Sequence, residues 1–241
     1  MRKLKEVLYE VLGEPNMRIM CGEVEACSSS PHRVRVEHLK ELMPDRKPYK
    51  HQMVIPNPPA GTILGLWANA AGQGGVLPIE ACTMQSSKQL EVKLTGSLGD
   101  VMKESMHVAR TLALHRVVSR DTWPSIHIHT PDGATSKDGP SAGMAITLAL
   151  IGLLDGKKCK HDLACTGEIH LNGHVGAIGG LDLKVMGGLR AGVKHFLYPK
   201  ENQEDMDDIL TKYGALPEYS GATYTAVDCL DEALALAYDE D

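Results

Sequence analysis

Aromatic residues and long apolar runs are scarce in this 241-residue sequence. Phe, Trp and Tyr together number ten, and the net charge is −6. Nucleic-acid binding uses a clustered basic face and stacking side chains, so we do not expect nucleic acid to be the main partner or to be required. No stretch approaches the roughly 18 to 20 uncharged apolar residues that span a bilayer, and the first residues lack the apolar run of a signal peptide. We therefore expect neither a membrane span nor a signal peptide.

Closely spaced cysteines are also lacking. The closest of the six cysteines are separated by five residues, as Cys21 and Cys27 are, whereas structural zinc sites use C-x2-4-C. A chain of this length can build a core without disulfides. We expect free thiols, no metal site and a reducing compartment, either the cytoplasm or, in a eukaryote, an organelle matrix.

What the sequence does contain is typical of a soluble globular protein, with 43% hydrophobic and 23% charged residues. The charge is unevenly distributed. Residues 201–241 carry twelve acidic residues and one basic residue, while the first 200 residues have a net charge of +5. The acidity is therefore a property of the C-terminal surface.

Three prolines between residues 54 and 61 divide the chain, because proline denies backbone hydrogen bonds to helix and strand alike. We predict a leader over residues 1–50, a linker over 51–61 and a main domain over 62–241. Apolar residues at helical spacing from Leu4 to Leu12 indicate a helix in the leader. About fifty residues bury little core alone, so the leader is either a helical remnant or a small domain.

The main domain mixes the periods of strands and helices. Strands are predicted at 63–67, 75–79, 90–94, 125–130 and 195–198, helices around 102–112, 141–154 and 181–191, a hairpin at 167–173 and two acidic helices at the C-terminus. This interleaving predicts an α+β fold, a mixed α/β sheet covered by helices.

The segment from Pro131 to Gly143 joins a strand to an apolar helix through a loop rich in Gly and Pro. It predicts that Ser141 lies in the first turn of the helix, with the N–H groups of Ser141, Ala142 and Gly143 free to bind an anion or a developing oxyanion. A serine there is a candidate nucleophile that needs a base. The alternative is that Ser141 only caps the helix.

His127 and His129 alternate along the preceding strand, so both side chains lie on one face, and Asp132 follows. The pattern allows a metal site, but no further cluster with metal spacing accompanies it. Support of the nearby loop is the other interpretation.

Lys184 is a candidate base. It follows a Gly-Gly turn and lies among apolar residues near the start of a helix. Burial and the helix dipole both disfavour its charged form. Lowering its pKa from about 10.4 to about 7.5 requires about 4 kcal/mol, which buried lysines reach. The alternative is a solvated surface lysine.

Together the two segments resemble the proteolytic domain of Lon proteases, serine–lysine peptidases fused to an AAA+ ATPase. Residues 137–143, Lys-Asp-Gly-Pro-Ser-Ala-Gly, resemble the nucleophile motif, and Thr166-Gly-Glu168, Gly179-Gly180 and Lys184 resemble the lysine segment. The 43-residue spacing from Ser141 to Lys184 also matches that family. The similarity covers about residues 60–238.

The resemblance implies a role for each matching residue. Ser141 is the expected nucleophile, Lys184 the general base and Thr166 the residue that orients the lysine. His127, Glu80 and Asp138 are expected to support the site, and Trp67 and Met84 to line the substrate groove.

The resemblance also implies a ribosomal protein S5 domain 2-like fold, polypeptide substrates and a homo-hexamer. Residues 1–50 resemble the end of an ATPase lid, but the sequence contains no Gly-x4-Gly-Lys-Ser/Thr phosphate loop. We therefore expect no cofactor in this chain, with ATP and Mg²⁺ bound only by the missing ATPase module.

Two other functions stay open at this point. A Gly-Pro-Ser-Ala-Gly turn that opens a helix could hold a nucleotide phosphate, as in a small-molecule kinase. The chain could also be a catalytically silent module that forms rings.

Overall fold

The computed structural model describes residues 53–86, 91–117 and 124–239. The predicted lid remnant at 1–50 and the first two residues of the predicted linker lie outside these ranges. Residues 53–61 run without helix or strand to the first strand.

The described residues form nine strands, six α-helices and one 3₁₀ helix. The strands are β1 (Thr62–Ala68), β2 (Gly74–Met84), β3 (Val92–Thr95), β4 (Ser125–His129), β5 (Leu163–Cys165), β6 (Glu168–Ile169), β7 (Val175–Gly176), β8 (His195–Pro199) and β9 (Thr223–Val227). The helices are α1 (Asp100–Arg116), α2 (Gly143–Asp155), α3 (Leu181–Ala191), the 3₁₀ helix Lys200–Asn202, α4 (Gln203–Tyr213), α5 (Pro217–Ser220) and α6 (Leu230–Ala237).

Seven strands make one sheet in the order β3-β4-β2-β1-β5-β8-β9, and β6 pairs with β7 in a separate hairpin. β2 runs antiparallel to both of its neighbours, β1 and β4. The other four pairings, β3 with β4, β1 with β5, β5 with β8 and β8 with β9, are parallel. The predicted mixed sheet with covering helices is confirmed.

Alternation along the strands gives the sheet two buried faces. On β1, Ile63 belongs to the core shared with α1, α2 and α6, whereas Leu64 and Leu66 belong to the core shared with α3 and α4. Helices therefore cover both sides of the central strands, which explains why β1 contains an almost continuous run of buried residues.

Helix α2 is the most deeply buried helix among the described residues. Eleven of its thirteen residues are buried, and it has no charged residue before Asp155. It ends at Gly156 in the left-handed conformation, with φ of 73°. Buried on all sides, α2 gives the loop before it a rigid support.

The predicted elements are present with adjusted ends. α3 has the predicted bounds, β2 is longer than predicted, and the hairpin is β6–β7. β9 was not predicted from the sequence. It is an edge strand whose residues are mostly half-exposed, so it lacks a clear apolar pattern. No helix in the described ranges is sufficiently long and apolar to span a membrane.

Candidate active site

Thr166 directly follows β5, at the carboxyl end of a central strand, and is fully buried. Its backbone N–H donates to Leu197 O on the neighbouring β8 over 3.0 Å. The sheet therefore fixes the position of its hydroxyl group.

Lys184 lies in the first turns of α3 and is only 3% exposed. Its Nζ donates a hydrogen bond to Thr166 Oγ1 over 3.1 Å. Burial lowers the pKa of the amine from 10.5 to about 8. At pH 7 about a tenth of the Lys184 amine is thus neutral and able to accept a proton, whereas a solvated lysine is almost entirely charged.

Ser141 is half-buried and meets the same threonine from the other side. Thr166 Oγ1 donates to Ser141 O over 3.2 Å, and the N–H of Gly167 donates to the same carbonyl over 2.8 Å. The structure therefore joins Lys184, Thr166 and the backbone carbonyl of Ser141 in one hydrogen-bonded chain, although Ser141 and Lys184 lie 43 positions apart in the sequence.

The prediction that Ser141 lies in the first helical turn is wrong. Ala142 is the N-cap of α2, which begins at Gly143. Pro140 O accepts the N–H of Gly143 over 2.9 Å, so residues 140–143 form a tight turn ahead of the helix. The helix therefore starts two residues later than predicted.

The predicted set of three free amides is also corrected. Gly143 N–H is used in that turn, and Met144 N–H donates to Gly167 O over 3.0 Å. Across the described part of the chain, the N–H groups of Ser141 and Ala142 donate to no protein acceptor. Two adjacent amides beside the Ser141 side chain can still bind one oxyanion.

Asp138 connects the loop of residues 131–142, which contains Ser141 and is called the nucleophile loop for its proposed role, to α1. Its Oδ1 accepts the N–H of Met102 over 3.0 Å and that of Gly139 over 2.9 Å. Met102 is the third residue of α1, whose N-cap is Gly99, so Asp138 supplies the side-chain cap that glycine lacks. A Cβ on Gly99 would lie 2.3 Å from the Asp138 carboxyl carbon, which shows how closely the two segments approach.

Lys137 closes the same loop from within. Its ammonium donates to three backbone carbonyls, Gly96 O at 2.9 Å, Asp132 O at 2.6 Å and Thr135 O at 3.0 Å. Sequence reasoning missed this role, because the three acceptors are carbonyl oxygens, which no residue type reveals.

His127 and His129 lie on one face of β4, as predicted, and both contact Thr95 on β3. Thr95 Oγ1 is 2.9 Å from His127 Nε2 and 2.7 Å from His129 Nδ1. Burial, followed by the nearby Lys93 and His129, lowers the pKa of His127. Within the described ranges, no three His, Cys, Asp or Glu side chains are grouped to hold a metal ion.

Glu80 is exposed on β2, opposite Thr62 of β1 and His129 of β4. Met84 is half-buried at the end of β2, opposite Ser125. Both residues therefore lie opposite residues of β4, in the half of β2 that is remote from Gly74 and α3. The structure groups Glu80 and Met84 with the histidine pair.

Trp67, half-buried near the end of β1, packs against the core shared with α1, α2 and α6. Its indole Nε1 donates to Val76 O over 3.2 Å, and its partner in the β1–β2 ladder is Gly75. The residue before Gly75, Gly74, contacts α3 so closely that a Cβ there would lie 2.0 Å from Leu183 O. β2 thus supports α3 at the turn that carries Lys184.

Comparison with known proteins identifies the family of this chain. The family model of the Lon protease (S16) C-terminal proteolytic domain matches residues 33–238. Lon protease of Desulfovibrio desulfuricans is 39% identical over 199 residues, covering 80% of this chain and 20% of that protein. Lon protease of Methanosarcina barkeri is 36% identical over 247 residues, covering 100% of this chain and 29% of that protein.

A third relative, Lon protease of Lawsonia intracellularis, is 40% identical over 189 residues, covering 76% of this chain and 22% of its own length. The chain thus spans less than a third of each of these relatives. The matched family model covers both segments of the candidate site. The chain belongs to the Lon protease family and corresponds to its C-terminal proteolytic domain.

Proposed function

We propose that this chain is a serine peptidase domain of the Lon type, with Ser141 as nucleophile and Lys184 as general base. Family membership supports the peptidase activity. The observation that supports the assignment of residues is the hydrogen-bonded chain that runs from the Lys184 amine through the Thr166 hydroxyl to the backbone carbonyl of Ser141.

In the proposed reaction, Ser141 Oγ attacks the carbonyl carbon of a peptide bond while its proton passes to neutral Lys184 Nζ. The C–N bond then breaks, and Lys184 returns the proton to the leaving amine. Lys184 Nζ then takes a proton from water, which attacks the acyl carbon. As the ester bond to Ser141 Oγ breaks, Lys184 gives that proton to Oγ and the serine is restored. The lowered pKa of Lys184, about 8, makes the neutral amine accessible near physiological pH.

Thr166 directs the lysine in this scheme. A hydroxyl has one hydrogen, and that of Thr166 is given to Ser141 O. The oxygen therefore presents a lone pair to Lys184 Nζ, which holds the amine without competing for its role as a base. The free N–H groups of Ser141 and Ala142 are the proposed oxyanion donors.

The same amides argue against the kinase-like alternative. A phosphate cradle uses several free N–H groups at a helix start. At the start of α2, Gly143 and Met144 donate their N–H groups to Pro140 and Gly167. The two amides that are left suit one oxyanion better than a nucleotide phosphate.

We propose polypeptide substrates, a homo-hexameric assembly and a cytoplasmic location, each by analogy with the family. ATP dependence is attributed to an attached AAA+ module, because this sequence has no phosphate loop. The proposed reaction itself uses only groups of this chain, with no metal or cofactor.

Cleavage of a fluorogenic peptide by the 241-residue chain tests the proposal. Ser141→Ala and Lys184→Ala are expected to abolish cleavage, and the exposed Ser220→Ala and Lys103→Ala are matched controls that retain it. A peptidyl boronate is expected to label wild type and not Ser141→Ala. Full activity of Lys184→Ala would show that the base is another group, and a wild-type chain that neither cleaves nor reacts would favour the silent module.

A further inference from the structure

The entry into α3 has little restraint of its own. Two glycines, Gly179 and Gly180, precede the helix, and Gly180 adopts the left-handed conformation with φ of 68°. No side chain of the N-cap bonds to the first turn. Glycine leaves the backbone free to adopt many conformations, so these two residues by themselves restrain the direction of α3 little.

Asn202, at the end of the 3₁₀ helix, holds the residue before these glycines. Its Oδ1 accepts the N–H of Ile178 over 2.9 Å, and its Nδ2 donates to Ile178 O over 2.9 Å. One side chain thereby pairs with both polar groups of a single residue. Asn202 is only 5% exposed, so water does not readily replace these bonds.

Asp205 fixes which way the Asn202 amide points. Nδ2 of Asn202 also donates to Asp205 Oδ2 over 2.7 Å. A carboxylate only accepts hydrogen bonds, so the amide nitrogen must face Asp205 and the amide oxygen must face Ile178 N–H. The Asn202 amide oxygen thus has a donor, and its amide nitrogen donates to two acceptors, Ile178 O and Asp205 Oδ2.

Glu201, the residue before Asn202, holds Ala177, the residue before Ile178. Its Oε2 accepts the N–H of Ala177 over 2.9 Å, while Oε1 is 3.1 Å from His174 Nε2 in the β6–β7 hairpin. Glu201 is exposed and Asn202 is buried. Of the two contacts, the buried pairing by Asn202 is the one that solvent weakens least.

We propose that Asn202 is a positioning residue, which holds Ile178 and thereby fixes how deeply α3 inserts the Lys184 amine beside Thr166. Lys184 lies six residues beyond Ile178, and its backbone N–H donates to Gly180 O over 3.1 Å. The inference rests on the proposed role of Lys184 as the base. It goes beyond that role by naming a residue that acts on Lys184 without touching the substrate.

A purely structural role predicts a different outcome. α3 is also held along its length, where a Cβ on Gly187 would lie 2.2 Å from the Gly74 carbonyl carbon. If that packing alone sets the position of Lys184, loss of Asn202 lowers stability and leaves the titration of the amine unchanged. If Asn202 sets the depth, its loss admits water to the amine, and the pKa of Lys184 rises from about 8 toward 10.5.

Two variants test this in the full chain. Asn202→Ala removes the pairing, and Asn202→Asp keeps the shape and the acceptor for Ile178 N–H but loses the donor to Ile178 O. Tyr238→Phe is the matched control, because it removes a hydroxyl that donates to Leu148 O over 2.8 Å in the other core. Thermal unfolding measures the stability of all three variants.

The decisive measurement is acetylation of Lys184 by acetic anhydride across pH, followed by mass spectrometry with exposed Lys103 as the internal standard. It needs no peptidase activity. We expect the half-maximal pH to rise by about one pH unit in both Asn202 variants, and kcat below that pH to fall about tenfold. Tyr238→Phe should leave both unchanged.

An unshifted acetylation profile in folded Asn202→Ala and Asn202→Asp would overturn the inference, whatever the loss of stability. Wild-type chain that labels at Lys184 with the expected profile but neither cleaves a peptide nor reacts with a peptidyl boronate would refute the proposed function and leave the positioning result intact. A shifted acetylation profile with an unshifted pH dependence of kcat would instead show that Lys184 is not the base.

Discussion

Thr166 Oγ1 accepts the hydrogen bond of Lys184 Nζ while giving its own hydrogen to the backbone carbonyl of Ser141. The threonine is fully buried at the end of a central strand, so it moves little relative to the sheet. Two segments that meet only through the fold, the turn before α2 and the first turns of α3, are thereby aligned on one hydroxyl group.

Replacement of Thr166 by valine should therefore misalign Lys184, the proposed base. Thr166→Val keeps the shape but leaves Lys184 Nζ without this acceptor. We expect kcat for peptide cleavage to fall about tenfold to a hundredfold, and the free energy of unfolding to fall by about 1–2 kcal/mol. Thr166→Ser should retain most of the activity because it keeps the hydroxyl.

Thr147→Val is the control for that experiment. Thr147 is also fully buried, and its hydroxyl donates to Gly143 O over 2.8 Å within α2. We expect a similar loss of stability with much less effect on kcat. Equal loss of kcat in the two valine variants would mean that Thr166 acts through folding alone.

Lys184 should destabilise the fold at neutral pH. The pKa of the amine is about 8 in the folded protein, compared with the ordinary value of 10.5 that we expect in the unfolded chain. Between these two pH values the folded protein therefore binds fewer protons than the unfolded chain. The cost of burying the amine is about 3 kcal/mol below pH 8 and disappears as the pH rises through 10.5. Lys184→Met should therefore raise the free energy of unfolding at pH 7 by about 2 kcal/mol, after loss of the bond to Thr166.

Urea unfolding at pH 7 and pH 10 measures this effect. The advantage of Lys184→Met over wild type should be largest at pH 7 and nearly absent at pH 10. Lys194→Met, at an exposed lysine just beyond α3, should show no such trend. A constant difference between Lys184→Met and wild type across this range would mean that the amine keeps its ordinary pKa in the fold.

The sequence predicts the elements that carry the site better than their contacts. The bounds of α3 follow from its apolar period and flanking glycines, and the motif around Ser141 marks the loop before α2. The start of α2 at Gly143 was missed, because the Pro140–Gly143 turn replaces the first helical turn. Lys137 and Asn202 were missed as supports, because both bond to backbone groups, which have no signature in residue type.

Lys137 provides a test of how the nucleophile loop is held. Its ammonium ties Gly96, Asp132 and Thr135 together through their carbonyl oxygens. Lys137→Met should lower the free energy of unfolding by about 1–3 kcal/mol and slow the labelling of Ser141 by a peptidyl boronate. Lys137→Arg should rescue this only in part, because a planar guanidinium does not reproduce the three donor directions.

The exposed Lys103→Met is the control for Lys137→Met, since Lys103 only pairs with Asp100 at the surface of α1. It should change neither stability nor labelling by a measurable amount. Unchanged labelling of a destabilised Lys137→Met would show that the loop keeps its shape without the lysine.

Gly74 gives the last prediction, because its missing side chain is what lets α3 approach β2. A Cβ at this position would lie 2.0 Å from Leu183 O, closer than atoms can pack, and 3.1 Å from Lys184 N, a tight contact. Gly74→Ala should push the first turns of α3 outward and lower the free energy of unfolding by about 3 kcal/mol. It should also reduce kcat at pH 7, because a less buried Lys184 has a higher pKa.

Gly133→Ala is the control, because a Cβ there meets nothing within 4 Å. Thermal unfolding and the pH dependence of kcat measure both effects, and a Gly74→Ala variant as stable and active as Gly133→Ala would mean that α3 is not seated against the backbone of β2.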